Sequence, residues 1–157
     1  MKKFLLSALF LGWLGAEILE VSADRFRGNE KDGISVVEGN VDIKKGEDTL
    51  KAKKVTIYTN DKRKLEKIIA EGEVRFHIVT TDGRRMQGSS GILTYDAITG
   101  EYRLQKSAQV EEEGKENIIR GEEIVLNNKT GYVDVVGGGN KPAKLIFNLQ
   151  DAKKDVK

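Results

Sequence analysis

The stretch Leu50-Lys51-Ala52-Lys53-Lys54-Val55-Thr56-Ile57 reads as a strand with a bend built into it. Strand alternation puts Leu50 and Ala52 on one face and Lys51 and Lys53 on the other. From Ala52 to Val55 the step is odd, so the apolar face continues through Val55 and Ile57 only if Lys53 and Lys54 form a bulge that turns the strand. The pattern recurs. Ile119-Arg120-Gly121-Glu122-Glu123-Ile124-Val125-Leu126 matches it closely, and Val21-Ser22-Ala23-Asp24-Arg25-Phe26 is a truncated copy. Met86-Gln87-Gly88-Ser89-Ser90-Gly91-Ile92-Leu93 matches with Gly91 where an apolar residue is expected. The small residue at Ala23, Ala52, Gly88 and Gly121 leaves room for backbone to approach at the bend.

A second motif alternates with the first: Glu38-Gly39-Asn40-Val41 and Glu71-Gly72-Glu73-Val74, with Ser107-Ala108-Gln109-Val110 as a degenerate third copy. Leu50 to Val74 and Met86 to Val110 both span 24 residues, which puts the extra length of the repeat in the turn around Asp82-Gly83. Apolar residues alternate at Val41 and Ile43 and again at Val74, Phe76 and Ile78, the period of half-buried strands. No helical period is sustained between Glu17 and Leu149, and Asp-Gly, Lys-Gly, Asn-Asp and Thr-Gly pairs punctuate the chain. The expected fold is all-β: strands that bend once per repeat and keep one apolar face build a curved double sheet. This is a jelly roll or flattened solenoid of about a dozen or more short strands.

Composition excludes several functions. The 157 residues hold 27 Lys and Arg against 25 Asp and Glu, one His, no Cys and one Pro. Thiolate chemistry and disulfide staples are absent, and His-centred catalysis has one candidate, His77. By parity His77 points outward between Phe76 and Ile78, so it reads as a solvated strand residue. Residues 1–16 contribute Lys2 and Lys3 and no acid, leaving the rest of the chain with 25 charges of each sign. A chain without a cationic surplus is not a counterion-releasing nucleic-acid binder. Gly137-Gly138-Gly139-Asn140-Lys141 lacks the spacing and the helix of a phosphate loop, and Asn128-Lys129-Thr130 is first a turn. No catalytic constellation, metal site or cofactor motif stands out, and an enzyme is not expected.

The first residues read as an address. Met1-Lys2-Lys3 precedes an apolar run of 11 residues, Phe4–Leu14, and then Gly15-Ala16-Glu17, the layout of a secretory signal peptide cleaved after Ala16. Eleven residues would cover only about half of a ~30 Å hydrocarbon core, against an uncleaved anchor. Residues 17–150 would form the folded domain, with 151–157 a polar, frayed tail.

Leu19-Glu20-Val21-Ser22-Ala23-Asp24-Arg25-Phe26, the Glu-Gly-x-Val corners, and the triple glycine leading into Lys144-Leu145-Ile146-Phe147-Asn148-Leu149 resemble the LptA-like (OstA-like) family of periplasmic lipopolysaccharide-transport proteins. The likeness spans nearly all of residues 18–149. It implies an open, slightly twisted β-jelly roll in the periplasm. Members join end to end into a bridge that carries lipopolysaccharide from an LptC-like inner-membrane partner to an LptD-like outer-membrane translocon. On that reading part of the inward apolar set lines a groove for the acyl chains of lipid A. The candidates are Val41 and Ile43; Leu50, Val55 and Ile57; Val74, Phe76 and Ile78; Met86 and Leu93; and Ile119, Ile124 and Leu126. Without the resemblance, alternating apolar strands read first as packed core. The edges for head-to-tail pairing are Ile18, Leu19 and Val21 at one end and Leu145, Ile146 and Phe147 at the other. Two other readings stay open at this point: a structural or carbohydrate-binding β-repeat module with a closed core, and an anchored LptC-like protein of the same fold.

Overall fold

The computed structural model describes residues 18–80 and 82–149. The expected signal segment, residues 1–16, and the expected polar tail, residues 151–157, lie outside the described residues. Every described element is a strand: β1 (Leu19–Ser22), β2 (Arg25–Asn29), β3 (Ile34–Lys45), β4 (Asp48–Thr59), β5 (Leu65–Val79), β6 (Arg85–Asp96), β7 (Glu101–Glu112), β8 (Ile118–Asn127), β9 (Val133–Val136) and β10 (Lys144–Ile146). All pairings are antiparallel between neighbours, and the sheet does not close on itself. The strands are fewer and longer than the dozen short ones expected, because β3 to β8 run through the bend without breaking.

The bends fold this sheet into two leaves. Pairing shifts register on β3 between Glu38 and Val41, on β4 between Lys51 and Lys54, and on β5 between Glu71 and Val74. It shifts again on β6 between Ser89 and Ile92 and on β7 between Gln105 and Ala108. One leaf therefore contains β1, residues 41–45, 48–51, 74–79, 85–90, 108–111 and 118–121, and β10. The other contains β2, residues 34–38, 54–59, 65–71, 92–96, 101–105 and 123–127, and β9. At each end two short strands share one long neighbour: β1 and β2 pair with β3, and β9 and β10 with β8. Gly137 lets the chain cross from β9 toward β10, since a Cβ there would lie 2.6 Å from the Ala143 backbone nitrogen.

Left-handed backbone makes the corners. Gly39 and Asn40 have φ of 81° and 48°, and Gly72 and Glu73 have 86° and 47°, so the Glu-Gly-x-Val motif is a bend signal. The third corner sits elsewhere than the repeat suggests. Lys106 and Ser107 carry the positive φ values, 67° and 56°, so Gln105-Lys106-Ser107-Ala108 is the true copy and Ser107-Ala108-Gln109-Val110 is not. The copy on β6 slides by two residues in the opposite direction: Ser90, not Gly88, faces Val74 across the corner, as Ala52 faces Val41. Ser90 is buried there, its hydroxyl donating to the Ile92 carbonyl at 2.9 Å. Gly88 is small for another reason, a close-lying aromatic ring, described below. The equal 24-residue spacing was a coincidence of length, and variation is shared among several hairpins.

The core runs along the corner side, where the leaves meet. Val37, Val41, Val55, Ala70, Val74, Leu104, Ala108, Val110 and Ile124 are all at most 2 % exposed. Each large aliphatic side chain buried this way contributes about 1.5–3 kcal/mol, and this row holds the two leaves together.

Candidate functional site

Away from the corners the leaves part. On β5, Phe76 and Ile78 follow Val74 on the inner face, and on β8 Leu126 follows Ile124. Facing Phe76 and Ile78 across the gap are Leu126, its β7 partner Tyr102, and Tyr95 on β6, the two tyrosine ring centroids lying 4.5 Å apart at 30°. Phe76 is opposite Gly88, and a Cβ at Gly88 would fall 2.5 Å from its Cζ, so the glycine gives the ring its place.

Two cavities open between the leaves. The larger, about 670 Å³, is lined by Phe76, Ile78, Met86, Tyr102, Ile119 and Leu126, by Val133 and Val135 of β9, and by Leu145 and Phe147 at the chain's far end. The smaller, about 150 Å³, is lined by Leu19, Ile43, Leu50, Leu65, Ile68, Leu93 and Tyr95. Phe76, Ile78 and Tyr102 line both, so the two adjoin along the molecule. The groove widens from the β1 end toward the β10 end.

The thirteen inward residues proposed from sequence all belong to the buried cluster or pack against it. The structure divides them. Ile43, Leu50, Phe76, Ile78, Met86, Leu93, Ile119 and Leu126 line the groove, whereas Val41, Val55, Ile57, Val74 and Ile124 line neither cavity. Among the edge residues, Ile18 is exposed and Leu19 partly buried, while Val21 turns into the core at 4 % exposure. Leu145, Ile146 and Phe147 are exposed, and Leu145 and Phe147 also reach the wide end of the groove.

Sequence reasoning missed the tyrosines. Once the β6 copy is shifted onto Ser90, Tyr95 takes the place of Ile57, and Tyr102 is its cross-strand partner. The corrected register was the signal that would have found them. Tyr102 is the more deeply buried, and that burial, followed by the nearby Tyr95 ring and the Asp48 carboxylate, raises its phenol well above the usual range. The Tyr95 phenol is raised mainly by burial, with nearby Asn128 acting in the opposite direction.

Polar groups stand at the rim. Glu112, 7 % exposed, accepts from Asn117 Nδ2 at 3.2 Å and pairs with Lys115 at 3.6 Å. Asn117 Oδ1 in turn accepts from the Asn148 backbone at 3.0 Å, tying the segment after β10 to the β7–β8 hairpin. His77 lies on the outer face as expected, 2.9 Å from the Glu113 carboxylate. Among the described residues no cluster of His, Asp and Glu could hold a metal ion.

An unclosed β-jelly roll with an apolar groove between its leaves is thus the class of protein that fold and site define. The chain belongs to the family described as LptA/(LptD N-terminal domain) LPS transport protein, whose profile matches residues 20–132. Membership places it among lipopolysaccharide-transport proteins. No curated protein matches the chain significantly. Among solved structures it is similar to the crystal structure of LptH from Pseudomonas aeruginosa, described as the LptA-homologous periplasmic component of the lipopolysaccharide transport device. The TM-score is 0.72 at 19% identity, covering 83% of this chain and 95% of that one, so the likeness is one of fold.

Proposed function

We propose that the chain is a periplasmic lipid carrier that shelters lipopolysaccharide acyl chains in the groove between its leaves and passes them along a head-to-tail bridge. The observation that carries this reading is the apolar groove between the leaves, whose larger part, about 670 Å³, falls in the size range of small-molecule sites. At ~0.8 kcal/mol per CH₂, keeping one chain of about a dozen carbons out of water is worth on the order of 10 kcal/mol. An open seam lets the sugar and phosphate head stay wet while the tails are covered. The groove favours this over a closed-core β-repeat module. The periplasmic placement is supported by the described role of LptH and by the signal-peptide pattern of residues 1–16.

The bridge rests on the ends. β1 and β2 at one end and β9 and β10 at the other present free backbone edges, and Val133, Val136, Leu145, Ile146 and Phe147 are exposed beside the latter. Unlike edges pairing end to end do not close, so they extend into a filament. Neighbours in such a bridge would include an LptC-like protein at the inner membrane and an LptD-like translocon at the outer.

A photo-crosslinking residue introduced in cells tests the groove. Placed at Phe76 or Leu93 it should capture glycolipid, and placed at outward Arg75 it should not. Equal capture from all three positions, or none from the inward pair, would overturn the reading.

A further inference from the structure

One polar atom in the groove has no explanation in folding. The Tyr102 side chain lines both cavities at the point where they adjoin. Its ring packs against the Tyr95 ring, whose own hydroxyl lies near Asn128. The Tyr102 hydroxyl has no hydrogen-bond partner among the described residues. Asp48 also lines the narrower cavity, close enough to act on the Tyr102 phenol. One Asp48 oxygen accepts from the Val79 backbone at 2.9 Å, and the second accepts from no described residue. Tyr102 and Asp48 are not bonded to each other.

In an empty groove water can serve both groups. An acyl chain filling the groove expels that water, and a buried polar group left unpaired costs about 1–3 kcal/mol. A purely hydrocarbon ligand incurs this loss; one that carries its own polar atom at this depth avoids it. The raised phenol stays protonated and donates, and the Asp48 carboxylate accepts. A hydroxyl suits both at once, because it accepts and donates. An ester carbonyl only accepts, and it would face the negative charge of Asp48.

We propose that Tyr102 and Asp48 form a polar subsite inside the groove that recognises a hydroxyl group carried on the acyl chain. The subsite reads the chain rather than the head, and so sets how deep the lipid sits. This inference rests on the lipid-carrier reading above.

The test compares myristate with 3-hydroxymyristate on the purified full chain and on Tyr102→Phe, by displacement of a fluorescent fatty acid. The native chain should prefer the hydroxylated acid roughly three- to tenfold, the worth of one well-made hydrogen bond. Tyr102→Phe should lose the preference and bind the two acids equally, and a cooperative thermal melt reports that the variant is folded. Asp48→Asn, which keeps an oxygen for Val79, should reduce the preference in part. Equal binding of the two acids by the native chain, or a preference that survives in Tyr102→Phe, overturns the subsite and leaves the groove standing. Binding of neither acid overturns the subsite and the carrier reading together.

Discussion

Ile124 and Leu126 lie two places apart on β8 and point to the same inner face, yet they live in different environments. Ile124 is 0 % exposed among corner residues; Leu126 is partly uncovered and lines the groove. On β5 the same contrast separates Val74 from Ile78. On these two strands the outcome follows distance from the bend, whereas Ile57, as far from its bend on β4 as Leu126 is on β8, is 2 % exposed and lines neither cavity. Next to a corner the two leaves are joined by the strands themselves and their side chains must interdigitate. Farther out on these strands the leaves part, and Ile78 and Leu126 pack against the core on one side while facing the groove on the other. One alternating pattern thus encodes both a core and an opening, and the bend converts the first into the second.

Stability should divide along the same line, and this is the largest effect expected. Leu104→Ala, at a corner position 0 % exposed, should cost about 2–5 kcal/mol in urea unfolding. Leu126→Ala, on the groove wall, should cost about half as much or less, because the space it vacates is already open to solvent. Equal costs would mean that the groove wall is core after all.

Gly88→Ala should come next. Its Cβ would lie 2.5 Å from Phe76 Cζ and 2.6 Å from the Gln109 carbonyl oxygen, so the ring has to move into the groove. We expect about 1–3 kcal/mol of lost stability from overpacking, together with weaker fatty-acid binding. Stability lost with binding intact would argue that Phe76 is packing only.

The corners themselves offer the smallest and most diagnostic change. Gly72, with φ of 86°, would place a Cβ 2.8 Å from that of Lys53, so Gly72→Ala should cost at least about 1–2 kcal/mol. Lys106 holds φ of 67° without being glycine, and Lys106→Gly should gain about 0.5 kcal/mol once the extra chain entropy of glycine is subtracted. Thermal melts of the two variants should move in opposite directions.

The bent-strand fold was legible because its signals are local. The odd step from Ala52 to Val55 and the Glu-Gly pairs at Glu38-Gly39 and Glu71-Gly72 each announce a bulge within a few residues. The third corner was misread because Lys106 and Ser107 adopt the left-handed conformation without glycine, and Ala108-Gln109-Val110 offered a tempting but wrong register. That slip of two residues keeps the strand face unchanged, which is why the inward set survived it. The division of that set into core and groove was not legible, since it depends on how far two leaves diverge. Tyr102 escaped for a related reason: alternation marks it only as inward, and its unpaired hydroxyl is a property of the assembled groove.

The most direct test of the account is methyl NMR of the deuterated chain, labelled at Ile, Leu and Val methyls, with a protonated fatty acid bound. The account predicts intermolecular NOEs from the acyl chain to Ile78, Ile119 and Leu126 and none to Val55, Val74 and Ile124. NOEs spread evenly over both groups, or confined to surface methyls, would contradict it.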